Sequence, residues 1–430
     1  MHELRLVQQL CRTRRRLCSM CAPIDERKQR MTTVNIDPTG DIAVPSLSAR
    51  RRAALAGHRA RADRSSVERA PTRVFYAIFL IVGVLVAVGL VMVLSASSIV
   101  SVNNGGSAFT MFLKQLMWAG VGICVAIGTY RMPYHAWRLL NRPLLAFAIV
   151  LNVLPRFPIG ITINGARAWV ELGPVRFQPS ELLKFALIIY LTNLLGRRQS
   201  ELTNPRRTLY PALIAWGFAV VLALSQSDFG AAVILSAIAL TVLYMAGVPV
   251  RWIALSGAVA FVGAFMFLLT SASRMARWTA FLDIEGNRAH TSYQVWQSML
   301  SIANGGLAGV GPGAGTSKWG YVPLAHSDFI FTVIAEEFGL IGSVLVIGGF
   351  ATLTALGFLV AMRAPDYSGA LLAAGITMWF GVQAIINIGG VIGVLPVTGL
   401  TLPLISYGGS SLMITLGSSG LLLNIARKIA

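Results

Sequence analysis

Charged residues are scarce in this sequence. They make up 12% of its 430 residues, whereas hydrophobic residues make up 55%, and the mean hydropathy is +0.68. Soluble globular domains carry about 25% charged residues, so this composition excludes an ordinary soluble enzyme. Acidic residues are the scarcer of the two signs, with 17 Asp and Glu against 36 Lys and Arg.

An apolar core of the signal-peptide kind is missing near the N-terminus, since none follows its charges before residue 74, so we expect no cleavable signal peptide. Cysteine is also rare. Three of the four cysteines lie in the tail (Cys11, Cys18 and Cys21), and Cys124 lies in an apolar run. Cys18 and Cys21 have zinc-knuckle spacing, but no second pair and no histidine cluster accompanies them, so we interpret them as free cytosolic thiols.

The apolar residues form long continuous runs. A membrane-spanning helix needs about 20 mostly apolar residues, and these runs are too long for barrel strands. We therefore predict an all-α membrane protein, a bundle of about ten transmembrane helices over residues 74–427. The predicted spans are 74–97, 112–130, 143–158, 180–196, 209–225, 229–247, 252–270, 329–351, 371–394 and 404–426.

The positive charge is concentrated in the tail. Residues 1–73 hold 16 Lys or Arg and 7 Asp or Glu, a surplus of 16 − 7 = +9 out of +19 for the whole chain. Cytoplasmic segments retain Lys and Arg, so we predict a basic, disordered cytoplasmic tail over 1–73 and both termini inside. This pattern favours an orientation signal and contact with membrane lipids, and no nucleic-acid binding.

Two predicted outer loops are longer than a connector requires, about 159–179 and about 271–328. Long loops with their own pattern are usually functional. The second, between predicted helices 7 and 8, is rich in aromatic and glycine residues, and we expect it to fold against the outer membrane surface. Its glycine-rich segment 309–316 lacks the Gly-Lys-Ser/Thr ending of a P-loop. We find no fixed-period repeat and no matching pair of broken helices, which weakens a transport function.

The strongest chemical candidate lies at the outer mouth of the eighth span. An acid and an imidazole, Asp328 and His326, stand next to the helix start, and Glu336 and Glu337 follow about two turns deeper. Ser327 or Asp328 is equally suited to cap the helix. A carboxylate at membrane depth is costly unless it is paired or functional.

Two further clusters combine polar residues with glycine or proline. In the first, the pair Glu181 and Lys184 is three residues apart on one helix face, so the two side chains could simply bind each other. An anionic phosphate ligand would instead require the cations. The first cluster contains Arg167, Trp169, Gln178, Ser180, Glu181 and Lys184. The second, whose glycines also suit close helix packing, contains Asn387, Pro396, Ser406, Tyr407, Gly408 and Gly409.

These segments together resemble the SEDS family of bacterial shape and division proteins. The similarity rests on Pro323-x-x-His-Ser-Asp328-Phe-Ile-Phe, on Ala335-Glu-Glu-x-Gly339 and on Leu402-Pro-x-x-Ser-Tyr-Gly-Gly-Ser410, and it covers about 74–427. The tail and the segment Gly399–Ser411 look more like the division members of the family than like its elongation members. Arg167 is displaced by one position, because many relatives place this arginine immediately before the tryptophan.

The resemblance implies a peptidoglycan glycosyltransferase that polymerises lipid II on the outer face of the bacterial plasma membrane, at the division septum. It also implies a class B penicillin-binding transpeptidase and other division proteins as partners. Asp328 matches the family's essential aspartate, and we predict it as the base. Predicted substrate contacts are Arg167, Trp169, Gln178, Ser180, Glu181, Lys184, His326, Ser406, Tyr407, Gly408 and Gly409. Predicted supporting residues are Asp228, Glu336, Glu337, Asn387 and Pro396.

The same residues leave open how the polymerase would neutralise charge, and they also allow two other functions. Pyrophosphate charge would be neutralised by Arg167, by Lys184 or by a divalent cation such as Mg²⁺ or Mn²⁺. A lipid II flippase would use Glu336, Glu337 and Lys184 to line a path across the bilayer. A non-catalytic division scaffold would only position the transpeptidase.

Overall fold

The structure is a computed structural model that describes residues 72–103, 105–163, 166–173, 175–202, 205–270 and 272–429. The disorder predicted for the basic tail, and its three cysteines, lie outside these residues.

Within the described ranges the chain forms twelve α-helices and one small sheet, which agrees with the predicted all-α membrane bundle. The helices are α1 (Arg73–Asn103), α2 (Thr110–Arg131), α3 (Trp137–Val153), α4 (Pro179–Arg197), α5 (Tyr210–Ser225), α6 (Phe229–Met245), α7 (Val250–Leu269), α8 (Ala272–Leu282), α9 (Tyr293–Gly305), α10 (Ile330–Arg363), α11 (Tyr367–Val391) and α12 (Gly409–Ala426).

Each of the ten predicted spans coincides with a helix, namely α1 to α7 and α10 to α12. Eight helical segments in the described residues are long and apolar enough to cross a membrane. The two others have physical reasons for falling short. Helix α6 has 17 residues, and α4 carries Glu181 and Lys184 within its 19 residues.

Helices α4, α6, α11 and α12 are the most buried helices of the bundle. In the most apolar stretch of α11, 78% of the residues are buried within the protein. In the corresponding stretch of α7 only 6% are buried, so the side chains of α7 face outward. Helix α12 packs closely on α2 because glycine lies between them. A Cβ on Gly420 would stand 2.2 Å from the carbonyl oxygen of Ala126, and small residues permit such close approach.

A small antiparallel sheet forms in the shorter of the two long loops. Its strands are β1 (Gly160–Ile163), β2 (Ala166–Leu172) and β3 (Val175–Phe177), in the order β1-β2-β3. We did not predict this sheet from the sequence. The alternation of polar and apolar residues along β2, with Arg167 and Glu171 exposed and Ala168 and Val170 buried, is the strand pattern that could have indicated it.

The larger loop folds into α8, α9 and a short 3-10 turn (Ser317–Trp319), and it changes the course of α10. Gly339 has φ +64 and ψ −156, so α10 is broken there. The carbonyl oxygens of Glu336 and Glu337 accept hydrogen bonds from the amides of Val310 and Gly311, at 3.0 and 3.1 Å.

On the other side of the break, the amide of Leu340 donates to the Gly306 carbonyl at 3.0 Å. The glycine-rich segment therefore satisfies the backbone groups that the break in α10 leaves free. A Cβ at Gly309 would stand 2.2 Å from the Glu337 carbonyl oxygen, which explains the glycine without a phosphate ligand. We did not expect a broken helix, although the structure shows only this one and no matching pair within the described residues.

Candidate active site

Asp328 lies at one end of the bundle, two residues before α10 begins. Its side chain is half-buried and borders a small, partly open pocket. The opposite wall is the segment between α11 and α12. Gly399 in that segment has φ +71, and a Cβ there would stand 3.7 Å from Oδ2 of Asp328. The pocket is lined by Asp328, Phe329, Ile386, Asn387, Gly390, Val391, Val397, Thr398, Gly399 and Leu400.

Asn387 on α11 holds the two walls of this pocket together. Its Nδ2 donates to the backbone oxygen of Asp328 at 2.8 Å and to that of Leu400 at 2.6 Å. The helix cap that we considered for Ser327 or Asp328 is wrong, because α10 begins after Phe329 and no side chain caps it.

The surroundings of Asp328 favour its protonated form. Desolvation by burial, reinforced by the negative charge of Asp228 and opposed by a hydrogen bond with Ser327, raises the pKa of Asp328 to about 6. A carboxyl with a pKa near neutrality is suited to take up a proton from a reacting group. Burial also lowers the pKa of His326, so its imidazole is neutral at pH 7.

Hydrogen bonds to backbone carbonyls of the Asp328 segment hold the segment that follows Pro403 in place. Ser406 Oγ donates to the carbonyl oxygen of Ser327 at 2.7 Å, and the amide of Tyr407 donates to that of His326 at 3.0 Å. The rings of Tyr407 and His326 pack edge to face, with centroids 5.6 Å apart. Gln115 on α2 holds the next residues through the Ser406 carbonyl (3.1 Å) and the Gly408 amide (3.2 Å).

Asp228 is the second acid near the pocket, and its side chain caps α6. Its Oδ1 accepts from the amide of Ala231 at 2.8 Å. Its Oδ2 accepts from Ser180 Oγ at 3.2 Å and from Gln178 Nε2 at 3.3 Å. Both oxygens are therefore engaged, so Asp228 orders the starts of α4 and α6 and contributes negative charge to the site.

Glu181 and Lys184 form the ion pair that their spacing allows, with Nζ 2.8 Å from Oε1. Lys184 is fully buried and Glu181 is 2% exposed. Lys184 Nζ also donates to Gln383 Oε1 on α11 at 2.9 Å and stands 5.0 Å from the ring centroid of Trp379. This setting differs from the outer-surface cation that we expected, because the charge is fully used inside the bundle.

The remaining predicted cations and aromatics lie on the sheet. Arg167 is exposed and donates to the Phe157 carbonyl at 3.1 Å, while Trp169 is half-buried opposite Ile161 in β1. Arg176 in β3, which we did not single out, pairs with Glu171 at 3.0 Å and its charge acts on Tyr407. The sheet therefore brings exposed guanidinium groups to the same end of the bundle as Asp328.

Glu336 and Glu337 do not join the pocket. Glu336 accepts hydrogen bonds from Thr316 Oγ1 at 2.6 Å and from the Ser317 amide at 3.0 Å, so it holds the 3-10 turn of the loop. Glu337 pairs with Lys318 at 3.1 Å and accepts from Ser95 Oγ on α1 at 2.6 Å. Both carboxylates thus fasten the large loop to the bundle.

The donor set at the pocket does not fit a protein-held metal ion. Among residues 72–429 as described, no group of three or more His, Cys, Asp or Glu side chains is placed to bind one. Asp328 and Asp228 are the acids at hand, and Asp228 already accepts hydrogen bonds through both oxygens. A divalent cation would have to come with the phosphates of a ligand, and we derive no step through one.

Besides Arg176, our predictions from the sequence missed three residues, Gln383, Gln115 and Lys318. Each is buried, and the first two lie within predicted spans, where an uncharged amide is easily passed over. A polar side chain inside an apolar run is costly unless it has a partner. The spacing of Gln383 four residues before Asn387, on one face of a helix, could have indicated a shared role.

Comparison with known proteins agrees with this architecture. Residues 75–430 match the family model described as cell cycle protein, of the FtsW, RodA and SpoVE type. The chain belongs to the FtsW/RodA/SpoVE family. Members of this family that it resembles include the probable peptidoglycan glycosyltransferase FtsW of Coxiella burnetii, 40% identical over 80% of this chain and 93% of the relative.

Another family member, the stage V sporulation protein E of Bacillus subtilis, is 34% identical over 80% of this chain and 94% of the relative. Among solved structures, a chain of a peptidoglycan synthase complex that coordinates polymerization and crosslinking matches with TM-score 0.67 and 30% identity, covering 82% of this chain and 97% of that one. The crystal structure of RodA from Thermus thermophilus matches with TM-score 0.61 and 30% identity, covering 82% and 96%.

Proposed function

We propose that this chain is a peptidoglycan glycosyltransferase that polymerises lipid II, with Asp328 as the general base. The observation that carries the residue assignment is a half-buried carboxyl with a pKa of about 6 in a pocket at the end of a membrane bundle. The activity is supported by family membership and by relatives named as probable peptidoglycan glycosyltransferases.

The reaction joins two lipid-linked disaccharides. Asp328 accepts the proton of the GlcNAc 4-hydroxyl as that oxygen forms a bond to C1 of MurNAc on the second substrate. The bond between C1 and the pyrophosphate oxygen breaks, and undecaprenyl pyrophosphate leaves with the bonding electron pair. A base of this kind typically contributes a factor of about 10²–10⁴ to the rate.

Negative charge develops on the leaving pyrophosphate and needs cationic groups. Arg167 and Arg176 suit this role because they are exposed on the sheet at the Asp328 end. Among the residues that the structure describes, Arg176 pairs with the exposed carboxylate of Glu171 alone, an exchangeable surface pair that typically contributes about 0–1 kcal/mol. Lys184 is unsuited because it is fully buried.

The Asp328 end faces the outside of the plasma membrane in this proposal. Arg131, Arg138, Arg427 and Lys428 lie near the opposite end, next to the start of α11, as expected for the cytoplasmic side. The synthase complex among the structural matches supports a crosslinking partner, which we propose is a class B penicillin-binding transpeptidase acting at the division septum.

Neither rival function is favoured by the arrangement of charges. A flippase that used Glu336, Glu337 and Lys184 would need them free to contact a passing headgroup. Each of these side chains is at most 1% exposed and is held by hydrogen bonds or an ion pair. A scaffold does not require an acid with a raised pKa next to a pocket.

The three functions are separated by one set of assays on the purified chain with its transpeptidase partner. A polymerase converts lipid II into a ladder of glycan strands on a gel and releases undecaprenyl pyrophosphate. A flippase moves labelled lipid across proteoliposomes without forming glycan, and a scaffold does neither. Lipid movement without glycan product would contradict the proposal.

A further inference from the structure

A chain of buried hydrogen bonds runs from the middle of the bundle to the wall of the Asp328 pocket. It begins at the Lys184–Glu181 ion pair on α4, passes through Gln383 on α11, and ends at the backbone of Thr401. Gln383 is fully buried and does not line the pocket. Any effect it has on the reaction must therefore pass through other residues.

The orientation of the Gln383 amide is fixed by its neighbours. Its Oε1 accepts from Lys184 Nζ at 2.9 Å and from Trp379 Nε1 at 2.7 Å. Ammonium and indole groups can only donate, so the amide oxygen must face them and the NH₂ group must face the other way. That group donates to the Thr401 carbonyl at 2.8 Å.

Thr401 lies in the stretch that closes the pocket. The carbonyl just before it, that of Leu400, is held by Asn387, which also holds Asp328. The side-chain amides of Asn387 and Gln383, one helical turn apart, thus donate hydrogen bonds to two consecutive backbone carbonyls. A Cβ on Gly399, immediately before them, would stand 3.7 Å from Asp328 Oδ2. A shift of the 399–401 backbone would widen the pocket and admit water to the carboxyl.

We propose that Gln383 is a positioning residue for the glycosyl-transfer site, which holds the Gly399–Thr401 wall against Asp328 by linking it to the buried Lys184–Glu181 pair. This inference rests on the proposed function of Asp328 as base. Gln383 contacts neither substrate nor reacting atoms. Its role is to keep the pocket narrow and poorly hydrated.

Gln383→Glu is the sharpest test because it changes one hydrogen bond with little change in shape. The new carboxylate still accepts from Lys184 and Trp379, but it cannot donate to the Thr401 carbonyl and repels it. Trp379→Phe is the matched control. It removes a donor on the opposite side of the same amide, keeps an aromatic ring near Lys184, and leaves the bond to Thr401 intact.

Two measurements distinguish positioning from general stability. In Gln383→Glu, hydrogen exchange should quicken in peptides covering 396–408, and the acidic limb of the pH–rate profile should move to lower pH as water reaches Asp328. The rate of glycan synthesis should fall about 10-fold or more, since small misplacements of a catalytic group can cost about 10²-fold. Trp379→Phe should leave the exchange of 396–408 and the position of the limb unchanged.

Unchanged exchange in 396–408 together with an unmoved acidic limb would overturn the positioning role, whatever happens to the rate. If Gln383→Glu does not yield folded protein, the same two readouts are applied to Gln383→Asn. That substitution keeps the amide oxygen and the NH₂ group but shortens the side chain. Wild type and Asp328→Asn are assayed in parallel. A failure of the proposed function appears in those two samples, and the exchange measurement still decides the role of Gln383.

Discussion

The side-chain amide of Asn387 donates to the backbone oxygen of Asp328 at 2.8 Å, and this bond joins α11 to the segment that carries the proposed base. The same amide donates to Leu400 across the pocket. Asp328 is thus held by its backbone, while its carboxyl faces the pocket.

Asn387→Ala should therefore reduce glycan synthesis by about 10–100-fold, because both pocket walls lose a shared anchor. Asn304→Ala is the matched control, since Asn304 makes one long bond of 3.4 Å to Glu336 and lies away from the pocket. Initial rates with lipid II check the prediction for protein that elutes as a single peak. Wild-type rates in Asn387→Ala would show that the anchor has no role.

The rate of the reaction should depend on pH through Asp328. A base works when ionised, and the pKa of Asp328 is raised to about 6. The rate should therefore rise with pH through about 6 and level off above about 7. Initial rates across this range check the prediction. A limb near the ordinary carboxyl value of about 4 would show that the carboxyl is well hydrated in the working enzyme.

The raised pKa of Asp328 also makes the free energy of unfolding depend on pH. The sign of this effect is opposite to that of a carboxylate in an ion pair, whose pKa is lowered. The folded state holds the proton of Asp328 more tightly than the unfolded state, so ionisation costs folded stability. That cost is absent below about pH 4, grows between about pH 4 and 6, and is complete above it. Asp328→Asn should melt at a higher temperature than wild type at neutral pH, and the difference should vanish towards pH 4. A lower melting temperature at neutral pH would contradict this.

The buried pair of Lys318 and Glu337 should be important for stability. Their charged atoms are 3.1 Å apart and their side chains are 7% and 1% exposed. Glu337→Gln leaves a buried ammonium without a counter-charge, which typically costs about 3–5 kcal/mol. Thermal unfolding in detergent measures the loss.

The exposed pair of Arg207 and Glu201, 3.3 Å apart with 69% and 40% exposed side chains, provides the control. Glu201→Gln should cost less than about 1 kcal/mol. The double variant Lys318→Met/Glu337→Gln should recover most of the loss, because neither charge then remains buried. Equal losses of stability in Glu337→Gln and Glu201→Gln would show that the Lys318–Glu337 pair is not isolated from water.

The break in α10 gives a further prediction. Gly339→Ala places a Cβ 2.4 Å from the Gly309 amide nitrogen at a residue with φ +64, so folded protein should be lost or strongly destabilised. Gly348→Ala on the same helix meets no atom within 4 Å and should be neutral or slightly stabilising, since alanine favours helix over glycine by about 1 kcal/mol. Fluorescence-detected gel filtration after heating compares the two. Equal stability would contradict the account of the break.

Hydropathy could predict the bundle because each span must be apolar and satisfy its own backbone. It could not predict where α10 ends. We expected the eighth span over 329–351, whereas the helix continues to Arg363. The break at Gly339 explains the difference. Residues before it lie against the large loop, and 340–363 alone are long enough to cross the hydrocarbon core, which takes about 20 residues.

The sequence motif predicted Asp328 as the base, but it did not predict how the pocket beside it is built. Asn387 and Gln383 contact the two pocket walls through hydrogen bonds between residues that are 13 to 59 positions apart in the chain. Such contacts depend on how helices pack, which periodicity alone does not give. Lys184 shows the converse. Its charge predicted a surface cation, yet packing of α4 on α11 buries it in a fixed pair.

The most direct test of Asp328 as the general base is the rate of glycan formation by Asp328→Asn. This substitution keeps the shape of the side chain and removes its ability to accept a proton. The control is Asp283→Asn. Asp283 is an exposed aspartate of the same large loop, and its carboxylate accepts a hydrogen bond from the local Gly286 amide at 2.9 Å. We predict a loss of at least about 100-fold for Asp328→Asn and wild-type rates for Asp283→Asn. Polymerisation by folded Asp328→Asn at the wild-type rate would contradict the central claim.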